Sequence, residues 1–296
     1  MIDNRLRHLT GLRRMMLLLS ATALLALSLA VPALAQLKGD WVVFAQCQVK
    51  NPEVTLCIHA TNTGGELQIG KVTIPINKAI TFQGGSIEDP NTGQEKFVGA
   101  YNGETLSKTP LSVPGGLAAV VDPTGLPKGP HEVYEKLITE GITGVTATIE
   151  LVGNPGISLA NLLQEQDVAL ELPIRVKLSN PFLGEECYIG SQANPVTLAL
   201  TTGTTGPPKP NKPISGTAGT LSFEDASQIL VIAGYRLVDN AFSAPGAAGC
   251  GGIYSAFIDP AVNAGVGLPS AAGHNTAVLS GTMQVAAASD VINQMK

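Results

Sequence analysis

The chain has few charges and few aromatic residues. Only 14% of its 296 residues are charged and 4% are Phe, Trp or Tyr, with Trp41 the single tryptophan. Sugars usually stack on such rings, so a carbohydrate cleft is disfavoured. A basic excess is also missing, with 18 Lys plus Arg against 23 Asp plus Glu. Nucleic acid and anionic membrane surfaces both need a basic face, and neither is expected as a partner. After residue 35 the apolar runs, such as Ile229–Ala233, are only strand-length. No integral membrane segment is expected there.

Motifs for chemistry are missing too. There is no G-x-S-x-G elbow, no CxxC or paired-histidine spacing for zinc and no EF-hand loop. Gly265-Val266-Gly267 lacks the third glycine and the strand–helix context of a dinucleotide fingerprint. A Ser-His-Asp site would have to use His59, His131 or His274. Ser270, in Leu268-Pro269-Ser270-Ala271-Ala272-Gly273, is the nearest imitation of a nucleophile elbow and has no leading glycine. The adjacent acids Glu185-Glu186 and Glu224-Asp225 would point to opposite faces of a strand, so they make no hydrolytic pair. No catalytic, cofactor-binding or metal-ligating residue is assigned, and no cofactor is expected.

What is present starts at the N-terminus. Arg5, Arg7, Arg13 and Arg14 precede an apolar run, Met15–Val31, which ends in Pro32-Ala33-Leu34-Ala35-Gln36. A positive region, an apolar region and a small-x-small site are the parts of a secretory signal peptide. Residues 1–35 are read as that leader, with cleavage after Ala35. There is no lipobox cysteine at that point. The leader carries four Arg and one Asp, a net +3 out of the chain's -5, which leaves -8 on residues 36–296. The mature protein is expected to be secreted or associated with the cell envelope.

The whole chain is 44% apolar, with 33 Gly and 20 Pro. Many turn formers among Val and Thr suit short strands. Val168–Leu178 is the clearest, with Val168, Leu170, Leu172, Ile174, Val176 and Leu178 on one face. Thr143–Val152 and Lys71–Ile76 also alternate, and Thr276–Ala286 is a further strand candidate. Asp40–Gln48 and Thr55–Thr61 read as a hairpin, Asn62-Thr63-Gly64-Gly65 as a turn, and Gly252–Phe257 as a strand before a small-residue loop at Asp259–Gly273. Short helices are expected at His131–Glu140, between Pro130 and Gly141, and at Ser158–Gln166. Gly203–Pro213, with four prolines, reads as an extended surface loop. The expected fold is mainly β, an antiparallel β-sandwich or open barrel with short helices and long Gly/Pro loops. Residues 36–296 are read as one domain, with a two-lobed arrangement of 36–180 and 181–296 left open.

The four cysteines are Cys47, Cys57, Cys187 and Cys250. An even number in an exported chain favours two disulfides. Of three pairings, Cys47–Cys57 with Cys187–Cys250 is favoured, because the first closes a short loop around Lys50-Asn51-Pro52-Glu53.

Two stretches carry a resemblance. Asn180–Gly184 and Cys187–Ser191 lead into Pro195–Thr205 and Pro207–Ser215, and Thr55–Gly70 adds "T-L-C-I-H-A-T-N-T-G-G-E-L-Q-I-G". Together they cover about half of the mature chain. In these segments the chain resembles uncharacterised secreted proteins of high-GC Gram-positive bacteria. The resemblance implies export and disulfides, and it implies no function. The reading that results is an exported non-enzymatic module of the envelope or extracellular space, with unknown ligand. A secreted hydrolase and an apolar-ligand (lipid) carrier stand as alternatives.

Overall fold

A computed structural model of the chain describes residues 37–89, 95–224 and 228–295. The expected leader and its cleavage point at Ala35 lie outside the described residues, as does Asp225.

Two antiparallel sheets dominate. The first contains β1 (Leu56–Ile69), β2 (Val72–Pro75), β3 (Ile80–Glu88), β4 (Glu95–Gly99), β11 (Thr220–Glu224), β12 (Ile229–Asp239) and β14 (Thr276–Ala287). The second contains β5 (Pro110–Val113), β6 (Val145–Leu151), β7 (Gly156–Ile157), β8 (Leu170–Ser179), β9 (Tyr188–Ile189), β10 (Val196–Leu200) and β13 (Ala247–Ala248). The spatial order β11-β12-β14-β1-β3-β4 leaves β11 and β4 at the edges of the first sheet. In the second sheet the order is β13-β9-β8-β6-β5. Neither sheet closes on itself, so the fold is a sandwich and not a barrel. The first sheet draws on both halves of the chain, because β1 lies between β3 and β14.

Alternation decides which residues enter the core. Along β8, Leu170, Leu172, Ile174, Val176 and Leu178 are buried while their neighbours are not. Ile58, Ala60, Leu67 and Ile69 of β1 join them from the facing sheet in one apolar cluster. The outward face of the second sheet carries a cross-strand ion pair. Arg175 of β8 donates to Glu150 Oε2 of β6 and stacks on the Tyr188 ring at 4.0 Å.

Several expected elements change. Asp40–Gln48 does not form a strand. Residues Gly39–Phe44 form a 3₁₀ turn instead, which buries Trp41 and Phe44, three residues apart. The two rings and Cys57 form a second apolar layer on the outer side of the first sheet, closed by α5 (Ala288–Gln294). Asn62–Gly65 is not a turn but a bulge inside β1. At Gly65 the left-handed φ of 113° and the nearby Val278 carbonyl leave no room for a Cβ. A matching bulge at Ala233/Tyr235 in β12 lies across β14. There the buried Tyr235 hydroxyl donates to Asn62 Oδ1 at 2.8 Å. Gly252–Phe257 is not a strand, and Asp259–Gly273 is only partly a loop. A 3₁₀ turn at Gly252–Tyr254 leads into α4 (Ser255–Val266). Ile258, Ala261, Val262 and Val266 supply its buried stripe. Pro260 and Gly265 disguise that helix as a loop in the sequence.

The expected helices appear as α2 (Lys128–Thr139) and α3 (Leu159–Gln164), beside a short α1 (Gly116–Val120). The Ser158 hydroxyl caps α3 by accepting from Asn161 N–H. Val168 falls outside β8 and stays exposed. Both disulfides form as favoured, Cys47–Cys57 and Cys187–Cys250. The first pins the 3₁₀ layer to β1. The second ties β9 to the turn after β13, where Tyr188 already pairs with Ala248.

Candidate functional site

The space between the sheets is filled. A void of about 30 Å³ remains there, lined mainly by Leu, Ile and Phe82. That is room for about one water, far less than an acyl chain needs.

The second sheet's flank is different. The first turn of α2, the Pro181–Gly184 turn, Gly251–Tyr254 and Ile258 of α4 enclose a cavity of about 530 Å³. Its walls are held rigidly. The Asn180 side chain accepts from Phe182 N–H and donates to Gly144 O, both at 2.8 Å, which shapes the Pro181 turn. Gly251 N–H donates to Leu183 O at 2.7 Å and ties the two turns together. The Asp259 carboxylate accepts from Gly249 and Cys250 N–H, and the Cys187–Cys250 bond anchors the same turn. Tyr134 meets Phe182 edge-on at 5.6 Å beneath the floor. Gly251 has a left-handed φ of 73°, and any Cβ there would strike Ile258.

The rim is apolar and wet. Val133 and Tyr254 line the cavity and are about half exposed. Outside the lining, Ile253 of the 3₁₀ turn is 91% exposed and Phe257 of α4 is also exposed. Large apolar groups scattered singly are ordinary on a surface. Two of these, Val133 and Tyr254, lie in the wall of the same concavity. Glu132 is the lone charged residue in the lining, paired at 3.8 Å with exposed Lys128. No Ser, Cys or His lines this cavity among the described residues, and Glu132 is its one carboxylate.

The residues weighed for catalysis are placed elsewhere. His59 lies on the outward face of β1, opposite Gln83 and Gln284, and burial lowers its pKa below the usual 6.5. His131 sits in the first turn of α2. His274 and Ser270 line one cavity of about 390 Å³ together with Lys71. No hydrogen bond joins Ser270 to His274 among the described residues, and no carboxylate lines that cavity. Instead Asn275 organises the loop. Its Nδ2 donates to Phe242 O and Ala271 O, and its Oδ1 accepts from Gly70 N–H. Glu165, Asp167 and Asp239 share a polar cavity of about 290 Å³. Two of those acids already serve the backbone. Asp239 accepts from Ala199 and Ala241 N–H, and Glu165 accepts from Ala218 N–H. Burial raises the Asp239 pKa above its ordinary value.

No cluster of three or more His, Cys, Asp or Glu among the described residues could hold a metal. No helix among them is long and apolar enough to cross a membrane. Two disulfides fit an oxidising compartment. Sequence reasoning missed the apolar groove. Its signals were the exposed Ile253-Tyr254 pair and the stripe of α4, hidden behind Gly251-Gly252 and Pro260. The chain matches no protein-family model, no curated protein and no solved structure.

Proposed function

We propose that this is an exported, non-enzymatic β-sandwich module that binds a small apolar ligand in the groove between α2 and the Gly251–Tyr254 turn. The observation that carries the reading is a preformed cavity whose lining includes the half-exposed apolar side chains Val133 and Tyr254. A volume of about 530 Å³ lies in the usual ligand range of roughly 300–1,000 Å³. The walls are braced by a disulfide and by backbone hydrogen bonds, so little ordering cost falls on binding. Export is supported by the positive, apolar and small-x-small order of residues 1–35, by the two disulfides, and by the resemblance to secreted Gram-positive proteins. Native mass spectrometry of the protein from culture supernatant tests the reading. A chain starting at Gln36, with two disulfides and a non-covalent apolar adduct, is the expected result. A protein retained in the cytoplasm, or one that takes up no apolar compound at any concentration tried, would overturn it.

Ser270 and His274 in one cavity favour a second reading, a secreted hydrolase. It predicts turnover of p-nitrophenyl acetate that Ser270→Ala abolishes. Equal rates for the two proteins dismiss it.

A further inference from the structure

The edge of the first sheet is unguarded at β11. Among the described residues β11 pairs with β12 alone, so its other side presents free backbone N–H and C=O groups. Such edges are usually blunted by charged side chains, Pro, a bulge or a covering segment. β11 reads Thr-Leu-Ser-Phe-Glu, with its one charged residue at the end of the strand and neither Pro nor a bulge within it. Its register with β12 sets Leu221 beside Ile232 and Phe223 beside Leu230. Ile232 is fully buried on the face that packs against the second sheet. Leu221 and Phe223 continue that face beyond its cover and remain 49% and 53% exposed.

We propose that two copies of this chain pair antiparallel through β11, joining their first sheets edge to edge about a two-fold axis at Ser222. The strand's own order selects a second copy as the occupant. With Ser222 opposite Ser222 of the second copy, Leu221 falls opposite Phe223 and Thr220 opposite Glu224. Four apolar side chains then share one face, and the only charged position meets a neutral one. Cross-strand apolar pairs and the new ladder both favour this register. A two-fold interface is self-complementary by definition, and an antiparallel strand pair meets that condition. Five residue pairs bury less than the roughly 800 Å² per partner of a standard interface. Both copies also carry net negative charge. The dimer therefore forms at micromolar concentration and tightens with salt, which screens that repulsion.

The test uses the mature chain in sedimentation-velocity runs from 1 to 500 µM (roughly spanning the range expected for a small interface). A reversible dimer is expected, and Phe223→Lys is expected to weaken it at least tenfold while leaving the thermal midpoint nearly unchanged. Oxidative cross-linking reads the register. Ser222→Cys places two thiols face to face and gives a covalent dimer, whereas Thr220→Cys puts them about 13 Å apart and does not. A monomer throughout this range overturns the proposal. So does a dimer indifferent to Phe223→Lys, or cross-linking by Thr220→Cys in preference to Ser222→Cys.

Discussion

The inter-sheet core and the α2–α4 groove end in opposite states: Leu, Ile and Phe side chains fill the first, while the second is lined largely by Gly and Pro with Val133, Phe182, Tyr254 and Ile258 among them. In the core, β1, β3 and β14 face β6, β8 and β10, and about 30 Å³ is left unfilled. In the groove, Val133 and Tyr254 line about 530 Å³ open to solvent. Alternating strands can press two faces together until no space remains. Turns pinned by Cys187–Cys250, Asp259 and Gly251 cannot collapse, so their apolar side chains stay unsatisfied. The difference separates apolar residues that hold the fold from those that remain open to solvent.

The comparison yields an ordered set of expectations. Phe82→Ala, in the sealed core, is expected to cost about 3–5 kcal/mol in denaturant unfolding, from lost transfer energy plus a cavity. A loss under about 1 kcal/mol would mean the core is loosely packed. Replacing both Cys187 and Cys250, 63 residues apart, by Ala is expected to cost about 4 kcal/mol by the loop-entropy argument, and to weaken groove binding as well. Removing Cys47 and Cys57 should lower stability without changing ligand affinity. Equal effects of the two pairs on affinity would break the distinction. Tyr235→Phe leaves the buried Asn62 Oδ1 without its donor, at about 1–3 kcal/mol, measured by the same unfolding curve. Tyr254→Ser should shift stability by under about 0.5 kcal/mol.

The smallest effect is set by pH. Burial keeps His59 neutral in the folded chain, with its pKa below the unfolded value of 6.5. As pH falls below 6.5 the unfolded chain takes up the proton first, so stability is lost in that direction and is complete above it. His59→Gln is expected to flatten the stability curve below pH 6.5. An unchanged slope would assign that dependence to groups other than His59, and Asp239 and Glu95 cannot supply it because their effect has the opposite sign. Both of those have raised values, so their contributions favour the folded chain as pH falls.

The sandwich was legible wherever period-two alternation ran unbroken, as in β8 and β6. Legibility failed where one residue type serves two purposes. Gly64-Gly65 reads as a turn, yet it is the bulge that lets β1 run on between β3 and β14. Asp40–Phe44 has strand composition, but its two rings are buried three residues apart. Pro260 argues against a helix locally, and the packing of Ile258, Val262 and Val266 overrides it. The disulfide pairing followed from a short loop and the parity of four cysteines. The groove was invisible because Pro130, Phe182 and Tyr254 are distant in sequence, and only the fold of α2, the Asn180 turn and the Cys250 turn brings them together.

The most direct measurement is a fluorescence titration of the mature protein with N-phenyl-1-naphthylamine, a neutral apolar probe. The parent chain and the double variant Val133→Asp with Tyr254→Ser are compared at equal stability. The account predicts one saturable site in the parent chain and at least a tenfold weaker one in the variant. Equal affinity in the two proteins, or no saturable site in the parent, would contradict the claim that the groove is where this protein binds.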